Sequence, residues 1–132
     1  MKKKNIRPTD SELEILQVLW HMGPSTVREV NDLVGRDKEV GYTTTLKLMQ
    51  IMTEKGLLSR EKDSRTHIYT PVSDMDTTRA ELLDRFLKSA FSGSASSLVM
   101  QALGNHNASA SELQQIKALI EQLEKDNGEH GK

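Results

Sequence analysis

Apolar positions along the first seventy residues recur in two rhythms, and the change between them divides the segment into elements. Thr9-Asp10-Ser11-Glu12 has the spacing of a capping box, and Leu13, Leu16 and Trp20 then fall on one face. A first helix is therefore predicted to begin after Thr9 and to stop at Gly23-Pro24. Thr26 and Glu29 repeat the capping distance ahead of Val27, Val30 and Val34, which predicts a shorter second helix closed by a left-handed Gly35. A third helix is predicted from Tyr42 to Lys55, with Gly56 at its stop. The period then shortens. Leu57-Leu58 leads into Ser59-Arg60-Glu61-Lys62, Asp63-Ser64 supplies turn residues, and Arg65-Thr66-His67-Ile68-Tyr69-Thr70 is rich in β-formers, so a hairpin is expected. Three short helices and one hairpin make up the element order of a winged helix-turn-helix domain.

Beyond Asp76 the rhythm is helical throughout. Leu82, Leu83, Phe86, Leu87 and Phe91 mark a segment from Thr78 to Phe91, and Leu98, Val99 and Leu103 mark one from Ser94 to Leu103. Leu113, Ile116, Ile120 and Leu123 mark a third from Ser109 to Lys125, where Ser109 and Glu112 again have capping spacing. Gly93 and Gly104 are expected to separate the pieces. All three prolines lie within the first 71 residues, which places a boundary near Pro71 to Asp76. The expected organisation is a winged domain over residues 1–73, a helical domain over 74–126 and a frayed tail over 127–132. The fold class is mainly α with one small β-hairpin.

At 132 residues the chain suits a compact domain with a helical appendage and is too short for a large enzyme. Cysteine is absent, so disulfides and thiolate metal sites are excluded. No apolar run approaches the ~20 residues of a membrane span, and the basic start Met1 to Arg7 is followed by no apolar core of a leader, so a soluble cytoplasmic protein is expected. Net charge is −1, which argues against indiscriminate coating of nucleic acid. Its distribution is uneven: residues 1–72 carry 12 Lys and Arg against 10 Asp and Glu, and residues 73–132 carry 6 against 9. An anionic partner would therefore meet the first half.

The third helix has two unlike faces. Thr45, Leu48, Met49 and Met52 fall on one side, and Thr43, Thr44, Lys47 and Gln50 on the other. Short polar residues let a helix approach base edges, and a cation reaches phosphate or guanine, so the second face suits a recognition helix in a major groove. Arg60, Lys62 and Arg65 flank the hairpin turn and would act as a wing on phosphates, although Glu61 and Asp63 interrupt them. The C-terminal stripes Leu82, Leu83, Phe86, Leu87, Phe91, Leu98, Val99, Ile116, Ile120 and Leu123 are too long to be covered by so small a domain, which points to a homodimer. Two recognition helices would then meet successive grooves of a palindromic operator in double-stranded DNA.

Enzymatic signals are absent. His21, His67, His106 and His130 show no ligand spacing, no nucleophile or phosphate-loop motif occurs, and neither a catalytic residue, a metal nor a cofactor is expected. The competing reading is a protein-interaction adaptor without sequence-specific DNA binding, which the near-zero net charge favours.

The run Pro8-Thr9-Asp10-Ser11-Glu12-Leu13-Glu14-Ile15-Leu16 with Leu19-Trp20, and Tyr42-Thr43-Thr44 with Leu46 and Leu48, resembles the BlaI/MecI/CopY penicillinase-repressor family. Glu54-Lys55-Gly56-Leu57-Leu58, Arg65-Thr66-His67-Ile68-Tyr69-Thr70-Pro71 and Phe91-Ser92-Gly93-Ser94 with Ser97-Leu98-Val99 are similar too, so the resemblance spans about residues 8–125. It implies a cytoplasmic repressor that binds a dyad operator as a homodimer, with Thr43, Thr44 and Lys47 at the recognition-helix contacts and Arg65 on the wing. In the β-lactam branch of the family a membrane metalloprotease sensor triggers cleavage in the helix after the Gly93 turn. The matching stretch here is Met100-Gln101-Ala102, with Gln101 and Ala102 as the candidate cleavage site in place of the Asn-Phe pair of the staphylococcal members. The cysteine-rich motif of the copper-responsive branch has no counterpart.

Overall fold

The computed structural model describes residues 7–35, 39–61 and 66–129. Along them run α1 (Asp10–Met22), α2 (Val27–Val34), α3 (Tyr42–Lys55), β1 (Leu58–Arg60), β2 (Tyr69–Pro71), α4 (Met75–Phe91), α5 (Ala95–Asn105) and α6 (Ala110–Glu129). They group into two compact units that divide within α4, between Asp84 and Arg85. The composition change at residues 73/74 lies ahead of this division. The first turns of α4 belong to the earlier unit, where Trp20 Nε1 donates to the Ser73 carbonyl at 3.0 Å and Thr78 is buried.

Thr9 caps α1 as its spacing predicts. Its hydroxyl accepts from the Glu12 amide at 3.2 Å, and its own amide donates to Glu12 Oε1 at 3.0 Å. The buried stripe is Glu12, Ile15, Leu16 and Leu19, whereas Leu13 and Trp20 are only partly covered, so the expected stripe is turned by about one residue. Glu12 can join a core face because its Oε1 accepts twice: from the Thr9 amide and, at 2.7 Å, from Lys55 at the far end of α3. A buried carboxylate without such partners would cost several kcal/mol, on the order of the penalty for an unpaired internal ion.

Gly23 stops α1 at φ 90°, and Ser25 then forms an antiparallel bridge to Tyr69, donating to its carbonyl at 3.1 Å and accepting from its amide at 2.8 Å. This isolated bridge, which the sequence pattern does not announce, ties the start of the helix-turn-helix to the hairpin. Thr26 and Glu29 form the expected capping box on α2. Gly35 closes that helix at φ −77°, not in the left-handed region, because its amide still bonds back to Asn31 and Leu33 as in a continuing turn.

The hairpin pairs Leu58 with Pro71, Ser59 with Thr70 and Arg60 with Tyr69, and Glu61 donates to Ile68 beyond it at 2.9 Å. The paired strands are shorter than the β-forming runs suggest, and the turn residues 62–65 lie outside the described residues. Ile15, Leu16, Leu19, Val27, Val30, Met49, Met52, Leu58 and Tyr69 form one core drawn from α1, α2, α3, β1 and β2.

Among α4, α5 and α6 three expected boundaries move. The α4 helix starts at Met75, not Thr78, because Asp74 accepts from the Thr77 amide at 2.9 Å and so caps it. Hydrogen bonds from the Thr77 hydroxyl and then its amide hold the Asp74 carboxyl below the usual carboxylate range. Gly104 lies inside α5 and does not end it: one glycine costs a helix only about 1 kcal/mol, and the break falls at His106 instead. The α6 helix opens on the predicted Ser109/Glu112 box and continues through Glu129, past Asp126, where Gln122 Nε2 bonds Asp126 at 3.0 Å. Ser92 and Gly93 take positive φ at the turn before α5, and Phe86 meets Phe91 edge-on at 5.7 Å. Among the described side chains of α5 and α6 none is buried, and Leu83, Phe86, Val99, Met100, Leu119, Ile120 and Leu123 are among the large apolar side chains left exposed.

Candidate nucleic-acid interface

The third helix is held on two sides. Inward, Thr45, Met49 and Met52 are fully buried, which fixes the rotation of α3 about its axis. At its entry, Asn31 of α2 donates from Nδ2 to Thr45 Oγ1 at 2.7 Å and to the Val40 carbonyl at 2.9 Å. One amide thus joins the second helix, the turn and the third helix, a placement that sequence periodicity cannot supply. At its exit Gly56 takes the left-handed conformation at φ 91°, its amide bonding to Thr53 while the Leu57 amide bonds to Met52, so the chain reverses sharply into β1.

That rotation turns Thr43, Thr44, Lys47 and Gln50 to solvent, all exposed, on the side away from the core. Hydroxyls, an amide and one ammonium group dominate this outer face, where Ile51 is the one exposed aliphatic side chain, and the acidic interruption on that side is Glu54, one turn further on. Leu48, expected inside, is partly buried at the edge of the core. Arg60 is exposed at the end of β1, one short turn after α3. The other two wing cations, Lys62 and Arg65, lie outside the described residues. Arg28 of α2 and Tyr42 at the start of α3 also reach the surface here, the guanidinium carbon 5.2 Å from the ring centroid. Neither belonged to the set expected from sequence, since an arginine in one helix and a tyrosine fourteen residues later have no spacing signature.

Among the described residues no group of three or more His, Asp or Glu is arranged to hold a metal ion, and no helix is long and apolar enough to cross a membrane.

Three helices, a bridge to the hairpin, and an outward polar face on the third helix define a winged helix-turn-helix domain, a class of nucleic-acid reader. The penicillinase repressor family model matches residues 8–122. Similar proteins include the transcriptional regulator BlaI of Mycobacterium tuberculosis, 28% identical over 95% of this chain and 91% of that protein. The penicillinase repressor of Bacillus licheniformis is 25% identical over 91% of this chain and 94% of its own, and that of Staphylococcus aureus is 19% identical over 95% and 99%. A solution structure of the DNA binding domain of the repressor BlaI aligns with a TM-score of 0.49 at 27% identity, over 56% of this chain and 90% of that one. The chain belongs to the penicillinase repressor family of transcriptional regulators.

Proposed function

We propose that the protein is a cytoplasmic transcriptional repressor that binds a palindromic operator as a homodimer, α3 entering the major groove and the hairpin flanking it. The observation that carries this reading is the outer face of α3, where Thr43, Thr44, Lys47 and Gln50 stand exposed opposite the buried Thr45, Met49 and Met52. Names of the relatives, repressors and transcriptional regulators, support it. So does the uncovered apolar stripe of the C-terminal helices, which a second copy of the chain would cover.

The test is titration of the protein against duplex DNA from upstream of its own gene and against a scrambled duplex, at several salt concentrations. Specific, salt-sensitive binding is expected. Lys47→Ala should weaken it by about 1–3 kcal/mol per half-site where the lysine reads a base, or lower the salt dependence by one contact per protomer where it touches phosphate. No binding at low salt would favour a protein-interaction adaptor instead.

Release of the operator would follow proteolysis of α5 between Gln101 and Ala102, triggered by a membrane metalloprotease sensor of the β-lactam type. Both residues are exposed and α5 has no buried side chain, so unwinding it into a protease cleft disrupts little packing. In cells carrying such a sensor, mass spectrometry after induction should find a fragment ending at Gln101; an intact chain would remove this part of the reading.

A further inference from the structure

Arg28 is the second residue of α2, is exposed, and holds its guanidinium over the ring of Tyr42, the first residue of α3. Tyr42 is itself 44% exposed, so the pair is a surface feature and not a core contact. A cation within about 6 Å of an aromatic centroid is held by the ring quadrupole, and a guanidinium so held keeps its N–H edge available in its own plane. That edge matches two oxygens of a phosphate.

Local carboxylates do not claim the group. Asp32 is one helical turn from Arg28 on α2, where an ion pair is easily made, yet none is formed between them. Glu29 beside it is committed to the cap of α2, its Oε1 accepting from the Thr26 amide at 2.9 Å. The cation therefore stands over the first residue of α3, at the end of the helix where the polar face begins, with its donors unspent on acidic neighbours among the described residues.

We infer that Arg28, positioned by Tyr42, clamps a backbone phosphate of duplex DNA beside the recognition helix, a sequence-independent contact that sets the register of α3 in the groove. The inference rests on the DNA-binding reading above and extends it to α2. Arginine is the residue type this task requires, since an ammonium group neither stacks as a plane nor bonds two oxygens in a fork.

Because a phosphate contact ignores sequence, the full chain can be tested on a fluorescein-labelled duplex of arbitrary sequence, about 30 base pairs long to span two half-sites. Raising salt fourfold should cost wild type about 12 times more affinity than it costs Arg28→Ala, the difference made by two phosphate contacts, one from each protomer of the dimer. Arg28→Lys should keep the salt dependence but bind less tightly. Tyr42→Leu should also keep the salt dependence and lose affinity, and Tyr42→Phe should restore it, which a role in stability alone would not produce. Thermal midpoints of all four variants close to wild type would show that folding is not the cause. Wild-type binding with an unchanged affinity and salt slope for Arg28→Ala would overturn the clamp and leave the DNA-binding reading standing. Absence of wild-type binding to any duplex would remove both.

Discussion

Tyr69→Ala is expected to destabilise the winged unit by about 3–5 kcal/mol, the range for truncating a large aromatic in a packed core. Tyr69 is the largest of the fully buried side chains, at 1% exposure. Its backbone is committed on both sides, to Ser25 through the bridge and to Arg60 across the hairpin. The ring fills the space between the hairpin and the helices, so its removal leaves a cavity where three separate segments meet, and the loss is a large share of the 5–15 kcal/mol that ordinarily holds a domain together. Urea unfolding of wild type, Tyr69→Ala and Tyr69→Phe would measure it. Retention of most stability by Tyr69→Phe is expected, since the ring remains. A cost below about 1 kcal/mol for Tyr69→Ala would show that the ring is not a packed part of the core. Because Arg60 lies opposite Tyr69 in the register, loss of the ring should also loosen the wing before the rest of the unit unfolds.

The second large effect concerns self-association. Ile120→Asp combined with Leu123→Asp should convert a dimer to monomers while leaving each monomer folded. Both side chains are about half exposed, 47% and 52%, so the single chain loses little by their change. In a symmetric pair each occurs twice, and covering the remaining apolar area of four side chains is worth about 4 kcal/mol, with the desolvation of four carboxylates added to the loss. The dissociation constant should rise by more than about a thousandfold. Sedimentation equilibrium at micromolar concentration would read it directly, and circular dichroism would report that the helices persist. Affinity for a two-half-site duplex should fall with it, because the second half-site would no longer be engaged at the high effective concentration that linkage provides. A variant that stays dimeric would place the self-association surface elsewhere; a monomeric wild type would end the homodimer proposal.

The parts of the molecule that sequence alone determined are those built from neighbours three or four residues apart. The boxes at Thr9/Glu12, Thr26/Glu29 and Ser109/Glu112, the bounds of α3 and its left-handed Gly56 follow from local hydrogen bonds, whose partners are named by spacing. The outward Thr43, Thr44, Lys47 and Gln50 follow as well, since helical period assigns faces once one face is apolar. Where local signals were weak, the chain did otherwise: Gly104 stayed within α5 because a single glycine does not outweigh the turns around it, and Asp74 began α4 a turn early.

Tertiary structure decided the contacts between residues far apart. Glu12 reads locally as a cap, and only the packing of α1 on α3 brings Lys55 to it across 43 positions and makes a carboxylate tolerable inside. The Asn31 joint to Thr45, the Ser25 bridge to Tyr69 and the Arg28 stack on Tyr42 arise in the same way. Their separations match no helical or strand period. They meet only after hydrophobic burial has chosen how the helices cross, and that choice depends on all the core side chains together.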